Sequence, residues 1–165
     1  MTSSPNRLLA AVFGTVYLLV GLAGFVVTSG VGFAATEGRN LLLFEVNPLH
    51  NIVHLGIGAA LLLASRSVRA ARGTNVAIGA VYLLVGVVGL FLVDTGANII
   101  ALNGADNVLH LASALLLLGV GLAADREDAG RAVTACRRPS RPAASAPRWR
   151  CAAPGWSGGG SGGAR

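Results

Sequence analysis

The hydrophobic positions of the chain form continuous apolar segments instead of alternating with polar ones. Residues 8–27 carry no charge and would be about 30 Å long as a helix, which is enough to cross a bilayer. Three further apolar segments occupy residues 48–65, 76–93 and 104–124. Because a membrane helix satisfies its own backbone hydrogen bonds, we expect an all-α fold, a four-helix transmembrane bundle.

These four segments repeat in pairs. The string GTVYLLVGLAGF at residues 14–25 matches GAVYLLVGVVGL at residues 79–90, an offset of 65. The string NPLHNIVHLGIG at residues 47–58 matches NGADNVLHLASA at residues 103–114, an offset of 56. The repeated glycines in the first pair of strings are typical of close helix packing in lipid, within a bundle.

The matches predict two tandem copies of a two-helix unit, in residues 8–66 and 75–124 of a membrane domain that spans residues 1–124. Each copy holds an even number of spans, so both run in the same direction, related by a pseudo-twofold axis along the membrane normal. The first span could instead be a signal peptide cleaved near Ala34–Ala35. Its recurrence as an interior span favours a retained helix.

The composition and charge agree with a membrane protein. Hydrophobic residues make up 53% of the chain and charged residues only 12%, which is unlike an ordinary soluble domain. Arg7 and the three arginines between the second and third spans lie on one side of the bundle. The positive-inside rule therefore places both termini in the cytoplasm, in a multi-pass protein of the plasma membrane. Without interleaved aromatic residues, the basic charge does not indicate a nucleic-acid partner.

Residues 125–165 differ in composition from the rest of the chain. This segment is rich in Arg, Pro, Ser and Gly, and we predict a disordered cytoplasmic tail. Its arginines could contact anionic lipid, with Trp149 and Trp156 as interface anchors, or the tail could simply be solvated. Cys136 and Cys151 also lie here, in no metal-binding or redox spacing.

The repeated polar motif carries the candidate chemistry, because it contains all three histidines of the chain. Asn47 and Asn103 are expected to cap the second and fourth helices, and residues three and four apart then share one helix face. The polar cluster comprises Asn47, His50, Asn51 and His54 in the first copy, and Asn103, Asp106, Asn107, His110 and Ser113 in the second. The pseudo-twofold would bring the two patches together near the axis.

Three functions of this cluster remain open from the sequence. In the first, it is a structural hydrogen-bond network in which Asp106 accepts from a histidine and the Asn amides bridge neighbouring groups. In the second, His50, His54, Asp106 and His110 bind zinc or another divalent metal, or His54 and His110 bind haem for redox chemistry or transport. In the third, the histidines belong to a proton or solute pathway.

The sequence contains no nucleophile elbow, phosphate-binding glycine loop or catalytic carboxylate pair, so no enzyme is indicated. Our leading hypothesis from the sequence is a non-enzymatic membrane protein with a structural or interaction-related cluster. The metal- or haem-binding protein is the alternative.

The strings LFEVNPLHNIVHLGIGAALLLASR, GAVYLLVGVVGL and NGADNVLHLASALLLLGVGL resemble a family of small bacterial membrane proteins, domain of unknown function 4383. The resemblance covers about residues 8–124 and leaves the tail outside. It implies an integral four-helix membrane protein. It implies no activity and no catalytic residue, because the family is uncharacterised.

Overall fold

A computed structural model describes residues 4–125, so the predicted tail beyond Asp125 lies outside the described residues. The chain forms four helices and one small hairpin within this range. They are α1 (Pro5–Val27), β1 (Arg39–Leu41), β2 (Phe44–Val46), α2 (Pro48–Ala64), α3 (Val68–Leu92) and α4 (Gly104–Ala123). The helical fold class is confirmed. Helix α3 begins at Val68, before the predicted residue 76, because the prediction followed the apolar segment and the first turns of this helix are polar.

Each helix begins at a side chain that caps it. Ser4, Asn47, Ser67 and Asn103 each accept a hydrogen bond from the backbone N–H three residues further on. Proline follows Ser4 and Asn47, where its missing N–H is not needed. Asn103 and Asp106 complete a reciprocal capping box. The predicted caps at Asn47 and Asn103 are therefore confirmed.

The helices carry their apolar side chains outward and their polar side chains inward. Three of them, α1, α3 and α4, are long and apolar enough to cross a membrane, while α2 is a shorter apolar helix of 17 residues. Large aliphatic and aromatic side chains such as Val26, Phe91 and Leu115 are exposed, whereas asparagines and histidines are buried. This is the reverse of a soluble domain and suits a surface in contact with lipid.

The bundle consists of two closely packed helix pairs, α1 with α2 and α3 with α4. Glycines of α1 and α3 lie directly against leucines of the partner helix, where an added Cβ would be within about 3 Å of the leucine side chain. These contacts are Gly14–Leu62, Gly21–Leu55, Gly79–Leu118 and Gly86–Leu111. The glycines therefore pack within the bundle, as the sequence predicted.

An arginine hydrogen bond also joins the two helices of each pair, at the end of the bundle where α1 begins and α4 ends. Arg7 Nε donates to the Ser65 carbonyl at 2.8 Å, and Arg72 Nε donates to the Gly121 carbonyl at 2.9 Å. Both guanidinium groups thus satisfy carbonyls at a helix C-terminus, where a cation is favoured by the helix dipole. The sequence analysis used these arginines only for orientation and missed this role.

Buried asparagines join α1, α3 and α4 at the same end. Asn75 Nδ2 donates to Asn6 Oδ1 at 3.0 Å, and Asn6 Nδ2 donates to the Asp125 carboxylate at 2.9 Å. Burial raises the pKa of Asp125, but hydrogen bonds from Ser4 and Asn6 and the charge of Arg72 outweigh it, leaving this pKa below its ordinary value. Asp125, the first residue of the predicted tail, is thus held against α1.

Gly24 and Gly89 make room for buried amides near the opposite end. Asn51 Oδ1 occupies the space that a Cβ on Gly24 would need, and Asn107 Oδ1 does the same at Gly89. An alanine at either position would overlap the amide oxygen, so the buried asparagine would have to move.

We therefore expect Gly24→Ala and Gly89→Ala each to lower the free energy of unfolding in detergent by about 1–3 kcal/mol. Gly119→Ala is the control, because open space surrounds this helical glycine and alanine favours helices. Denaturation curves followed by circular dichroism measure the difference. Equal stability of all three variants would contradict the close contact.

Candidate functional site

The three histidines meet at the end of the bundle where α2 and α4 begin, which we call the histidine end. His50 and His54 lie on successive turns of α2, with ring centroids 4.5 Å apart. His110 on α4 places its ring centroid 6.0 Å from that of His50. One ring nitrogen from each histidine lies within 4.8 Å of the other two, and all three residues are buried. We call this group the histidine triad.

The ring nitrogens of the triad are poorly satisfied. Nδ1 of His50, His54 and His110 has no hydrogen-bond partner among the residues that the structure describes. Buried polar atoms are nearly always paired in folded proteins. Tyr82 Oη and the Oδ1 atoms of Asn51, Asn75 and Asn107 also lack a partner in the described part of the chain, but the histidines are the residues that bring metal-ligating nitrogens together there.

Asp106 does not bond to a histidine, contrary to the hydrogen-bond network that the sequence suggested. Its Oδ2 accepts from the backbone N–H of Asn103 at 3.0 Å and from that of Glu45 at 3.0 Å. The position of Asp106 in the first turn of α4 explains this outcome, because unpaired N–H groups at a helix start attract a carboxylate. The structure also leaves Asp106 outside the histidine triad.

The side-chain amides of Asn47, Asn51 and Asn103 donate to backbone carbonyls or to a threonine, and not to an imidazole ring. Asn47 Nδ2 donates to the carbonyls of Ala35 and Ile99, both at 2.8 Å. Asn103 Nδ2 donates to the Leu43 carbonyl at 3.1 Å, and Asn51 Nδ2 donates to Thr28 Oγ1 at 3.1 Å. The amides therefore fasten the loops that precede α2 and α4.

The hairpin covers the histidine end. Glu45 of β2 donates its backbone N–H to Asp106, and its side chain accepts from the Gly38 N–H. Val46 is buried, as are Ala101 and Leu102 in the loop before α4. The sequence analysis did not predict these paired strands.

Two tyrosines close the other side of the triad. The Tyr17 ring lies 5.3 Å from that of His54, and the Tyr82 ring lies 5.0 Å from that of His110. The centroids of the two tyrosine rings lie 5.5 Å apart, and the Tyr17 hydroxyl donates a hydrogen bond to Ser113 Oγ at 3.2 Å. The sequence analysis did not select these tyrosines, although a Tyr recurs in both copies of the apolar repeat.

A cavity of about 340 Å³ adjoins the triad. It lies between α1 and α4 beneath β2, and His54, His110 and Asp106 contribute to its wall. The remaining wall is almost entirely aliphatic and aromatic.

These features define a small helical protein with apolar helices compatible with a membrane and a buried cluster of three histidines. A family model described as a domain of unknown function (DUF4383) matches residues 7–123, and the chain belongs to this family. Comparison with curated proteins and with solved structures gives no match. The family description assigns no activity, so a function has to be argued from the site.

Asn47 is the residue on which the cover of the histidine end depends most. It is fully buried, caps α2 through the His50 N–H and bonds two loop carbonyls. We expect Asn47→Ala to cost at least about 2 kcal/mol of unfolding free energy, since a cap is lost and buried acceptors remain unpaired. Asn40→Ala on the exposed side of the hairpin is the matched control, and a loss of similar size there would refute this role.

Proposed function

We propose that the protein is a membrane metal-binding protein whose histidine triad holds one divalent transition metal ion, with zinc as the best-fitting example. The observation that carries this proposal is the approach of three ring nitrogens to within 4.8 Å of one another. Nitrogens bound to one tetrahedral zinc ion are about 3.4 Å apart, given Zn–N bonds of about 2.0–2.1 Å. Small side-chain rotations would therefore close the triad around an ion.

The unpaired Nδ1 atoms support a metal over a purely structural network. Leaving a buried polar group unpaired costs about 1–3 kcal/mol, and the triad carries three such atoms. A metal ion that binds at Nδ1 would use lone pairs that no donor among the described residues engages. The hydrogen-bond network favoured from the sequence lacks its central bond, because Asp106 is bonded to backbone.

The geometry favours a single ion over haem. His50 and His54 rings lie 4.5 Å apart, and Tyr17 and Tyr82 pack directly beneath the histidines. A porphyrin between two axial histidines would need a wide flat slot at this place. The three imidazole rings and the two tyrosine rings fill that space, so binding a single ion would require less rearrangement of the fold than binding a porphyrin.

We also propose that all four helices span the membrane as two copies of one helix pair. The contacts of the first pair recur in the second at the sequence offsets of 65 and 56. Arg7–Ser65 corresponds to Arg72–Gly121, Gly24–Asn51 to Gly89–Asn107, and Tyr17–His54 to Tyr82–His110. Matched contacts at matched positions support a tandem repeat with a pseudo-twofold axis.

The proposed orientation places the histidine end outside the cell and the chain termini in the cytoplasm of a bacterium. It is supported by Arg66, Arg69 and Arg72, which follow α2 at the opposite end of the bundle. The metal would then be exchanged with the outer side. Contact between the Arg-rich tail and anionic lipid is part of the same proposal and concerns residues outside the described range.

Metal titration tests the proposed function. The chain has no histidine outside the triad, so Cys136→Ser/Cys151→Ser removes the thiols that could bind metal elsewhere. In this background we expect one equivalent of Zn²⁺ to bind and to raise the unfolding temperature. His54→Ala/His110→Ala should abolish both effects, while Glu37→Gln, a control at a loop carboxylate, should retain them. A folded parent protein that binds no zinc or other divalent transition metal would refute the proposal.

Cysteine labelling tests the orientation. Cys136 and Cys151 mark the tail, and no other cysteine occurs in the chain. An impermeant maleimide should leave intact cells unlabelled at these positions and should label them after permeabilisation. Adding a cysteine at Leu42, which is 87% exposed at the hairpin turn, should give labelling of intact cells. The reverse pattern would place the histidine end in the cytoplasm.

A further inference from the structure

The cavity beside the triad opens toward the lipid-facing side of the bundle. Val12 and Val16 of α1 and Leu109 and Leu116 of α4 line it, and each of these residues is also substantially exposed on the surface. Since both helices are long and apolar enough to cross a membrane, this mouth would face acyl chains and not water. A molecule dissolved in the bilayer can enter here, whereas a hydrated ion cannot.

The inner end of the cavity is polar. His54 and His110 contribute to its wall, are 6% and 5% exposed, and carry Nδ1 atoms without a partner among the described residues. Asp106 also lines this end, and its hydrogen bonds use only Oδ2. These groups offer hydrogen bonds to a small uncharged head group, while the Asp106 carboxylate would disfavour an anionic one.

Aromatic side chains shape the space between the mouth and the histidines. Phe13, Tyr17 and Phe44 line it together with the two histidine rings. Flat rings stack favourably on such walls. A volume of about 340 Å³ falls at the small end of ligand pockets and is more than twice that of an apolar cavity known to hold benzene.

We propose that this cavity binds a membrane-dissolved quinone-class molecule, with its carbonyl or hydroxyl head at His54 and His110 and its isoprenoid chain leaving between α1 and α4. The ring matches the aromatic walls, the oxygen matches the unpaired imidazoles, and the chain matches the aliphatic mouth. The proposal concerns binding alone and goes beyond the metal function, because the hydrogen-bonding groups are present without an ion. A metal ion bound at these Nδ1 atoms would compete with the quinone head for the same hydrogen-bonding positions.

Binding can be measured on zinc-free protein in lipid nanodiscs with a benzoquinone that carries one isoprenyl unit. Histidine is labelled with ¹⁵N, so all protein signals come from the triad. We expect the His54 and His110 resonances to shift and to reach saturation as the quinone is added. An alkylbenzene of equal length should bind about tenfold more weakly, because it cannot form the hydrogen bond. Each ligand concentration is corrected for partition into empty nanodiscs.

Val16→Trp should fill the mouth and abolish the shifts. Leu90→Trp should leave them unchanged, because Leu90 is exposed on α3, which contributes no residue to the cavity wall. Ala112→Phe fills the cavity from the side of α4 and is the second cavity-filling variant, to be used if Val16→Trp does not fold. Equal binding of the alkylbenzene would identify an unspecific site for lipid chains and would overturn the proposal. Shifts that persist in both cavity-filling variants would overturn it too. Zinc titration of the same samples separates this result from the metal function.

Discussion

The burial of polar side chains inside an apolar bundle is the constraint on which the rest of the structure depends. The outer surfaces of these helices are apolar, as lipid chains are, so the hydrophobic effect alone would not hold one helix to another in a membrane. The specific contacts are instead close glycine–leucine packing and hydrogen bonds from Asn6, Asn47, Asn51 and Asn75. The amide nitrogens of these asparagines all donate to backbone or side-chain oxygens, whereas the Nδ1 atoms of the three histidines have no hydrogen-bond partner among the described residues.

The proposed repeat, and a difference between its two copies, account for the arrangement of the histidines. Tyr17 and His54 of the first pair have counterparts in Tyr82 and His110, and these four rings pack together at the centre. The position of His50 corresponds to Asp106 in the second copy. Asp106 is bound to backbone N–H groups, whereas His50 lies against the other two histidines. The cluster therefore contains two histidines from α2 and one from α4.

Much of the fold could be predicted from the sequence because continuous apolar segments and capping residues act locally. The helix ends at Asn47 and Asn103 follow from single side chains and their spacing. The hairpin could not be predicted in this way, since strands of three residues leave little periodicity and depend on contacts with a distant helix. The hydrogen bonds of Asp106 could not be predicted either. Its carboxylate could bond to the N–H groups at the start of α4 or to a histidine on another helix, and spacing along the chain does not decide between them.

The three histidines of the site could be selected from the sequence, but their bonding, the place of Asp106 and the two tyrosines could not. The repeated motif identified all three histidines, and helical spacing placed them on facing surfaces. Which nitrogens would be paired depends on tertiary geometry that no spacing encodes. Tyr17 and Tyr82 had a signal in their repetition, but a tyrosine within an apolar span is usually part of the packing.

The most direct test of the account is ¹⁵N NMR of histidine-labelled protein in nanodiscs, recorded before and after one equivalent of Zn²⁺. The chain has only these three histidines, so every imidazole signal reports on the triad. The account predicts that one nitrogen of each ring shifts together with the others and that the change is complete at one equivalent. Unchanged spectra, or a shift confined to one ring, would contradict a shared metal site.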